Sequence, residues 1–210
     1  MIPARLIRTV PEHTTDEVEA WWAKACKLHP TWDHTTYRDP LDPGQFPLTS
    51  GSWHLCESGA QKAGLIRLEA LWFSGGFYLD SDLELFRPLD SLRPCQVVGT
   101  WEDAGTAPDW FLAAEPSHPA IGTCLNLALD RLHDRANIDW RTGHGAWATG
   151  PGVTTTILPG RPDVLLLPPQ ALAPYHYTEP HRADEPHEAS PFCLGAHRWR
   201  GSWLHPEEAS

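Results

Sequence analysis

The chain has 210 residues, of which 41% are hydrophobic and 20% are charged, so it is long enough for one substantial domain of ordinary globular composition. Its formal net charge of −11 argues against a nucleic-acid partner, because a phosphate backbone is bound by a basic surface. No apolar run approaches the roughly 18 residues that a membrane-spanning helix needs.

The five cysteines are scattered along the chain and form no CxxC pair. This spacing indicates neither a zinc knuckle nor a disulfide framework. The N-terminal stretch has no apolar segment followed by small residues, so we expect no signal peptide. Together these features predict a cytoplasmic protein. The negative charge is compatible with a site that binds a divalent cation.

Helices and strands are predicted to alternate from the start of the chain. Residues 4–10 form a short apolar strand. A helix follows, for which Thr15 is a suitable N-cap and which ends before Pro30. A second short strand is predicted over residues 32–38. A loop rich in proline and glycine comes after it.

The next element is the clearest helix in the sequence. Ser58 and Gln61 have the spacing of a capping box, and Gly75 is placed to end the helix in a left-handed conformation. A short strand over residues 77–80 follows the glycine. One face of the helix is predicted to be apolar, formed by Ala63, Ile66, Ala70 and Phe73 and widened by Leu65, Leu68 and Trp72.

The second half of the chain continues the same pattern. Strands are predicted over residues 96–101 and 163–169, the latter buried, with an amphipathic helix over 118–134 between them. Residues 179–190 are polar and rich in proline, so they are predicted to be a loop, and 191–210 a C-terminal flap or tail. Alternating strands and helices predict an α/β fold, here a single domain over residues 1–210.

Two carboxylates follow the strand that ends at residue 80. Residues two apart in a strand point the same way, so Asp80 and Asp82 project together at an edge of the sheet where ligands bind in open α/β folds. Their mutual repulsion favours a cation between them. Arg67 and Arg87 are the nearby basic residues, and a hard cation such as Mg²⁺ or Mn²⁺ is the alternative.

Several functions use such a pair of acids. A calcium loop is excluded, because its sixth and twelfth positions, counted from Asp80, are Leu85 and Ser91 rather than glycine and glutamate. An aspartyl-phosphate phosphohydrolase would need a later lysine and a further acidic pair after an apolar strand, which the sequence lacks, but it remains the alternative enzyme. In nucleotide-sugar transfer the acids would hold an ion against a diphosphate. The 11 tryptophans also leave open a non-catalytic carbohydrate-binding protein.

Residues 58–84, SGAQKAGLIRLEALWFSGGFYLDSDLE, resemble the signature of the DXD-containing sugar transferases of glycosyltransferase family 32. That family includes fungal initiating mannosyltransferases and, more distantly, the clostridial glucosylating toxins. Residues 2–11 resemble its first strand, TGPGV (149–153) a segment of its C-terminal half, and HRWRGSW (197–203) its closing motif.

The resemblance implies a GT-A fold, Rossmann-related, with a mixed central sheet flanked by helices. It also implies a UDP- or GDP-hexose donor, a saccharide or other hydroxyl acceptor, Mn²⁺ or Mg²⁺, and retention of anomeric configuration. The chain is short for this fold, so an oligomer that completes the acceptor site is compatible with it.

The resemblance assigns roles to individual residues. Asp80, Asp82 and His197 would hold the metal ion, with Asp80 also at the nucleotide ribose. Arg67 would act with the two acids in catalysis by reaching the sugar or diphosphate; from the sequence alone it could equally be a surface charge paired with Glu69 or Glu84. The remaining donor-binding residues would be Thr9, Val10, Ala63, Tyr78, Ser202 and Trp203.

Two positions depart from the family pattern. Gly64 stands where the family often has an aspartate that contacts donor hydroxyls, which leaves the sugar specificity open. Val10 stands where the first strand often ends in tryptophan, so base stacking would fall to another residue such as Trp53. His181 and His187 lie in the proline-rich loop and are predicted to be solvated rather than metal ligands.

Overall fold

The computed structural model of the chain describes residues 1–102, 105–134 and 146–200. Strands and helices alternate as far as residue 79, as the sequence predicts, but three further strands then follow in the described residues before the next α-helix begins at Pro119. The strands are β1 (Arg5–Val10), β2 (Asp33–Arg38), β3 (Gly76–Leu79), β4 (Leu83–Leu85), β5 (Val97–Thr100), β6 (Phe111–Ala114), β7 (Val164–Leu167) and β8 (Gly195–His197). The α-helices are α1 (Asp16–Leu28), α2 (Gly59–Ser74), α3 (Pro119–His133), α4 (Ala146–Thr149) and α5 (Pro151–Ile157). None of the described helices is both long and apolar enough to cross a membrane.

Side-chain caps fix where the first two helices begin. The hydroxyl of Thr15 accepts the N–H of Val18 and starts α1. At α2 the hydroxyl of Ser58 accepts the N–H of Gln61 at 3.2 Å, which is half of the predicted capping box. The other half differs, because Gln61 Oε1 accepts the N–H of Glu57, one residue earlier than the motif requires. Helix α2 ends in a tight turn.

That turn depends on glycine. Gly75 has φ 61°, and its N–H donates to the carbonyl of Leu71 at 2.9 Å, as the sequence predicts for the residue that ends α2. The turn leads directly into β3. As a result, the acids come directly after a strand whose start is fixed by the end of a capped helix.

The prediction of a single apolar face on α2 is wrong. Phe73 is 53% exposed, whereas every residue from Gly64 to Leu71 is buried, including Arg67 and Glu69. The reason is that α2 packs between the sheet on one side and α3 and α4 on the other. A helix enclosed on several sides need not show one apolar stripe.

The main sheet is mixed and has the order β2-β1-β3-β6-β5-β7. Strand β1 is parallel to β2 and β3, while β6 is antiparallel to both β3 and β5. Apolar side chains cover both faces: Phe77 and Leu79 pack on the side of α1, and Tyr78 packs on the side of α2 and α3. This mixed sheet between helices is the predicted fold class.

Two strands of the main sheet differ from the sequence prediction. Strand β6 lies in the middle of the sheet but was not predicted, because its four apolar residues show no alternation. Strand β7 was predicted to be buried but is at the sheet edge, where Leu165 is 41% exposed. A separate two-stranded ribbon, β4 with β8, lies outside the main sheet.

Candidate metal and donor site

Parallel pairing places the ends of β1 and β3 at the same edge of the sheet. There the hydroxyl groups of Thr9 and Tyr78 lie 2.6 Å apart. The Tyr78 hydroxyl donates to Asp80 Oδ1 at 3.0 Å, so Thr9 is the donor to Tyr78. Val10 is buried at the end of β1, and Ala63 is half-buried on α2 one turn before Arg67. Thr9, Val10 and Tyr78 therefore lie towards the same end of two neighbouring strands, and Ala63 lies on the helix that carries Arg67.

Asp80, Asp82 and His197 each offer one ligand atom, and these atoms lie within 4.8 Å of one another. His197 reaches the acids through the ribbon, in which Leu83 of β4 is opposite His197 of β8. His197 Nε2 lies 3.1 Å from Asp82 Oδ1. The structure thus brings together the three residues that the resemblance assigns to a metal ion.

The C-terminal residues after β8 hold Asp82 in place. Its backbone carbonyl accepts the N–H of Arg198 at 2.9 Å, and its Oδ2 accepts the N–H of Arg200 at 3.0 Å. Glu84, two residues on, forms ion pairs with Lys24 and Arg198. It is not one of the three clustered residues.

Arg67 is buried beside the acids. Its Nη2 donates to Asp80 Oδ1 at 2.9 Å, its Nη1 lies 2.7 Å from Asp109 Oδ2, and its guanidinium carbon lies 4.4 Å from the centre of the Tyr78 ring. The alternative of a surface charge paired with Glu69 or Glu84 is wrong. Glu69 instead accepts hydrogen bonds from the backbone of residues 48 and 49.

The environment moves the pKa values of these groups in different directions. Burial raises the pKa of Asp80, and the charge of Asp82 adds to this, while Arg67 opposes it. Burial alone would raise the pKa of Asp82, but the charge of His197 and the N–H of Arg200 hold that pKa below its ordinary value. Burial alone would lower the pKa of His197, yet the carboxylates of Asp82 and Asp80 raise it.

The donor set fits a divalent cation. Neither ring nitrogen of His197 has a hydrogen-bond partner among the described residues, although the side chain is buried, and its contact with Asp82 is not aligned as a hydrogen bond. A buried imidazole normally finds such a partner or a metal ion. Two carboxylates and one imidazole suit Mn²⁺, and the carboxylates suit Mg²⁺.

Two members of the site were missed by the sequence analysis. Asp109 and Trp110 lie immediately before β6, whose first residue pairs with Leu79. Trp110 stacks on the His197 ring, with centroids 4.6 Å apart and planes 13° apart. Burial raises the pKa of Asp109 to about 6. An acid before a central strand was the available signal, but β6 itself was not predicted.

Four other predicted residues have different outcomes. Ser202 and Trp203 lie outside the described residues. Trp53 packs against Phe46, and Lys62 Nζ lies 4.7 Å from the centre of the Trp53 ring. The Trp53 ring is therefore already in contact with a cation. The prediction that His187 is solvated is wrong, because His187 is buried against Tyr175 and bonded through Nε2 to the carbonyl of residue 182.

One protein-family model matches the part of the chain that contains the DXD motif. Residues 15–98 match the model of the glycosyltransferase sugar-binding region containing a DXD motif. Residues 15–98 are thus similar to the sugar-binding region of DXD-containing glycosyltransferases. The matched range holds α1, α2 and β3 together with Asp80 and Asp82. The resemblance found in the sequence is confirmed. No curated protein sequence matches this chain significantly.

Two solved structures with a similar fold are glycosyltransferases. One is the PaToxG glycosyltransferase, with a TM-score of 0.61, 16% identity, and coverage of 74% of this chain and 68% of that one. Another is a glycosyltransferase involved in the glycosylation of the major capsid of PBCV-1, with a TM-score of 0.53, 14% identity, and coverage of 93% and 94% respectively. At these identities the likeness shows the fold, which is of the GT-A type.

Proposed function

We propose that this glycosyltransferase moves a hexose from a UDP- or GDP-sugar to a hydroxyl group of a saccharide or another acceptor. The proposed cofactor is Mn²⁺ or Mg²⁺, and the proposed outcome is retention of anomeric configuration. The observation that carries the proposal is the cluster of Asp80, Asp82 and His197, whose ligand atoms lie within 4.8 Å of one another. Asp80 and Asp82 follow β3 and lie within residues 15–98, which match the family model.

Asp80, Asp82 and His197 would hold the ion. When bound, the ion supplies positive charge that stabilises the departing nucleoside diphosphate. Mn²⁺ is the better match of the two cations, because imidazole is a poor ligand for Mg²⁺, whose protein ligands are almost always oxygen atoms. The buried His197 is therefore the residue on which the choice of metal depends.

The other residues of the strand edge would bind the donor. Thr9 and Tyr78 form a hydroxyl pair next to Asp80, which suits recognition of ribose or sugar hydroxyls. Arg67 supplies a fixed positive charge beside the acids and would favour an anionic diphosphate. We assign no catalytic base, since Asp80 and Asp82 would be occupied by the ion and Asp109 is buried against Arg67.

A donor panel tests the proposal. The protein would be incubated with UDP- and GDP-hexoses and Mn²⁺ or Mg²⁺, and released nucleoside diphosphate would be measured by mass spectrometry. Donor turnover is expected for the wild type, and Asp82→Asn should reduce it by at least about 100-fold if the ion stabilises the leaving group. Asp184→Asn, an exposed acid in the proline-rich loop, is the matched control and should not change the rate.

Two outcomes would contradict the proposal. One is the absence of binding or turnover for every nucleotide sugar. The other is equal turnover by the wild type and Asp82→Asn. Hydrolysis of phosphomonoesters would instead favour the phosphohydrolase considered from the sequence, although the family match is to a glycosyltransferase region.

A further inference from the structure

Asp109 is a buried acid that no motif of the sequence marks. It lies just before β6, and it is brought to the site because Phe111 of β6 pairs with Leu79 of β3. The backbone N–H of Asp80 donates to the carbonyl of Trp110 at 2.8 Å, which fixes the distance between the two segments. The segment that carries Asp109, just before β6, is thus held next to the DXD motif.

The Asp109 carboxylate is the second counter-charge of Arg67. Its Oδ2 lies 2.7 Å from Nη1, and each side chain is only 6% exposed. Because Nη2 bonds to Asp80, the guanidinium group bridges two carboxylates, one at each terminal nitrogen. A buried cation with two partners has one orientation, since turning the group would leave a charge unpaired in a medium of low dielectric constant.

Helix α2 cannot provide this second carboxylate itself. A Cβ atom added to Gly64, one turn before Arg67, would lie 2.8 Å from the backbone carbonyl oxygen of Thr149, so no larger side chain fits there without a shift. Glu69 is committed to the backbone N–H groups of residues 48 and 49. The second partner of Arg67 therefore comes from a different element, the segment before β6.

The orientation of Arg67 determines the orientation of Asp80. Arg67 Nη2 and the Tyr78 hydroxyl both donate to the same oxygen, Asp80 Oδ1, at 2.9 and 3.0 Å. Among the described residues no hydrogen bond is formed by Oδ2. Two donors on one oxygen fix the carboxylate plane and leave the second oxygen for a ligand.

We propose that Asp109 is a positioning residue: it anchors Arg67, which in turn presents Asp80 to the divalent cation. Asp109 itself touches neither the ion nor the donor. This inference rests on the metal site of the proposed function. A purely structural role for Asp109, as the counter-charge of a buried arginine, predicts a loss of stability but no change in the affinity of the folded protein for the cation.

Binding of Mn²⁺ alone, followed by electron paramagnetic resonance of the free ion, separates the two roles. Substituting a partner that orients a metal ligand typically weakens metal binding by about 10–100-fold, and we expect a loss of this size in folded Asp109→Asn. The matched control is Asp163→Asn. Asp163 also pairs with an arginine, Arg161. It precedes β7, which runs in the same direction as β3, so it lies at the opposite end of the strands from the site.

A double mutant tests the route through Arg67. If Asp109 acts only by anchoring that side chain, Asp109→Asn should cause no further loss of Mn²⁺ affinity when Arg67→Gln is already present. Should Asp109→Asn fail to fold, Asp109→Glu serves instead. It keeps the counter-charge but moves the carboxylate by one methylene group, so it should fold and still weaken Mn²⁺ binding.

The outcomes distinguish this inference from the proposed function. A dissociation constant for Mn²⁺ that is the same in Asp109→Asn, or in Asp109→Glu, as in Asp163→Asn overturns the inference alone. Absence of Mn²⁺ binding by the wild type overturns both the inference and the metal dependence of the proposed function. A specific loss of Mn²⁺ binding in a protein that turns over no nucleotide sugar supports the inference and contradicts the proposed function.

Discussion

His197 Nε2 lies 3.1 Å from Asp82 Oδ1, and the pairing of β8 with β4 accounts for this contact. In that ribbon Leu83, the residue after Asp82, is opposite His197. Hydrogen bonds from the backbone N–H groups of Arg198 and Arg200 to Asp82 extend the connection beyond the strand. The cluster is therefore completed by a short ribbon outside the main sheet, and it depends on the C-terminal part of the chain.

Replacing His197 tests the cluster directly. His197→Ala removes one of three ligands, so Mn²⁺ affinity should fall by more than the roughly 10–100-fold that loss of a supporting residue causes. Donor turnover with Mn²⁺ should fall with it. Isothermal titration calorimetry with MnCl₂ and the donor assay measure the two effects.

The control for His197→Ala is His181→Ala, which removes an exposed histidine from the same C-terminal part of the chain. It should bind Mn²⁺ and turn over donor like the wild type. Because Trp110 stacks on the His197 ring, the melting temperature of each variant must be recorded as well. Wild-type Mn²⁺ affinity in a folded His197→Ala protein would show that His197 is not a ligand.

The ribbon can be disrupted without touching a ligand. A Cβ atom added to Gly195 would lie 2.5 Å from the carbonyl oxygen of Glu84, so Gly195→Ala should push β8 away from β4. We expect a cost of about 1–3 kcal/mol in the free energy of unfolding, as for other overpacked sites, and a loss of Mn²⁺ affinity because His197 moves. Urea unfolding and metal titration measure these quantities.

Gly59→Ala is the matched control for Gly195→Ala. Gly59 is the first residue of α2, and a Cβ atom there would meet nothing within 4 Å. The control should keep wild-type stability or gain slightly, since alanine favours helix more than glycine does. Equal stability and equal Mn²⁺ affinity in the two variants would mean that the ribbon does not hold His197 in place.

Local sequence signals were sufficient for the elements that carry the two acids. The Thr15 and Ser58 caps and the Gly75 turn were predicted because each depends on residues only a few positions apart. The period of a strand does not explain how Asp80 and Asp82 come together, because both lie in the turn between β3 and β4, where the N–H of Leu83 donates to the carbonyl of Asp80 at 3.0 Å. The same signals failed for Phe73, because the burial of α2 on several sides is set by α3 and α4 rather than by α2 itself.

The long-range parts of the site could not be derived from local patterns. Asp109 reaches Arg67 only because β6 runs antiparallel to β3 in the register that pairs Phe111 with Leu79. Nothing in the sequence near Asp109 specifies that register. His197 was placed at the site by resemblance to a family, and the physical reason, the pairing of β4 with β8, became visible only in the structure.

Restoring the family's acid at Gly64 should not restore a functional contact. Gly64→Asp would force a Cβ atom to within 2.8 Å of the Thr149 carbonyl oxygen and place a charge among buried groups. We expect destabilisation by about 1–3 kcal/mol and no gain in donor turnover. Gly64→Ala should show the steric part of the loss alone. A stable, more active Gly64→Asp protein would show that Thr149 can move aside.

Acid stability should depend on Glu19. This side chain accepts hydrogen bonds from Thr14, from the buried Arg8 and from Arg38, and these contacts lower its pKa from 4.5 to about 2. A carboxylate with a lowered pKa contributes stability that is fully present above its ordinary pKa and is lost as protonation proceeds in the folded state. The contribution of Glu19 should therefore decline as the pH falls from about 4.5 towards about 2.

Glu19→Gln should lower the melting temperature at neutral pH by about 2–4 °C, an amount kept small because the carboxylate is partly exposed and screened by solvent. The difference from the wild type should shrink as the pH is lowered through the same range, because the wild-type side chain also loses its charge. Glu12→Gln, at an exposed acid, should follow the wild type at every pH. Thermal melts of the three proteins followed by circular dichroism measure this. A difference between Glu19→Gln and the wild type that stays constant down to about pH 2 would contradict the assignment.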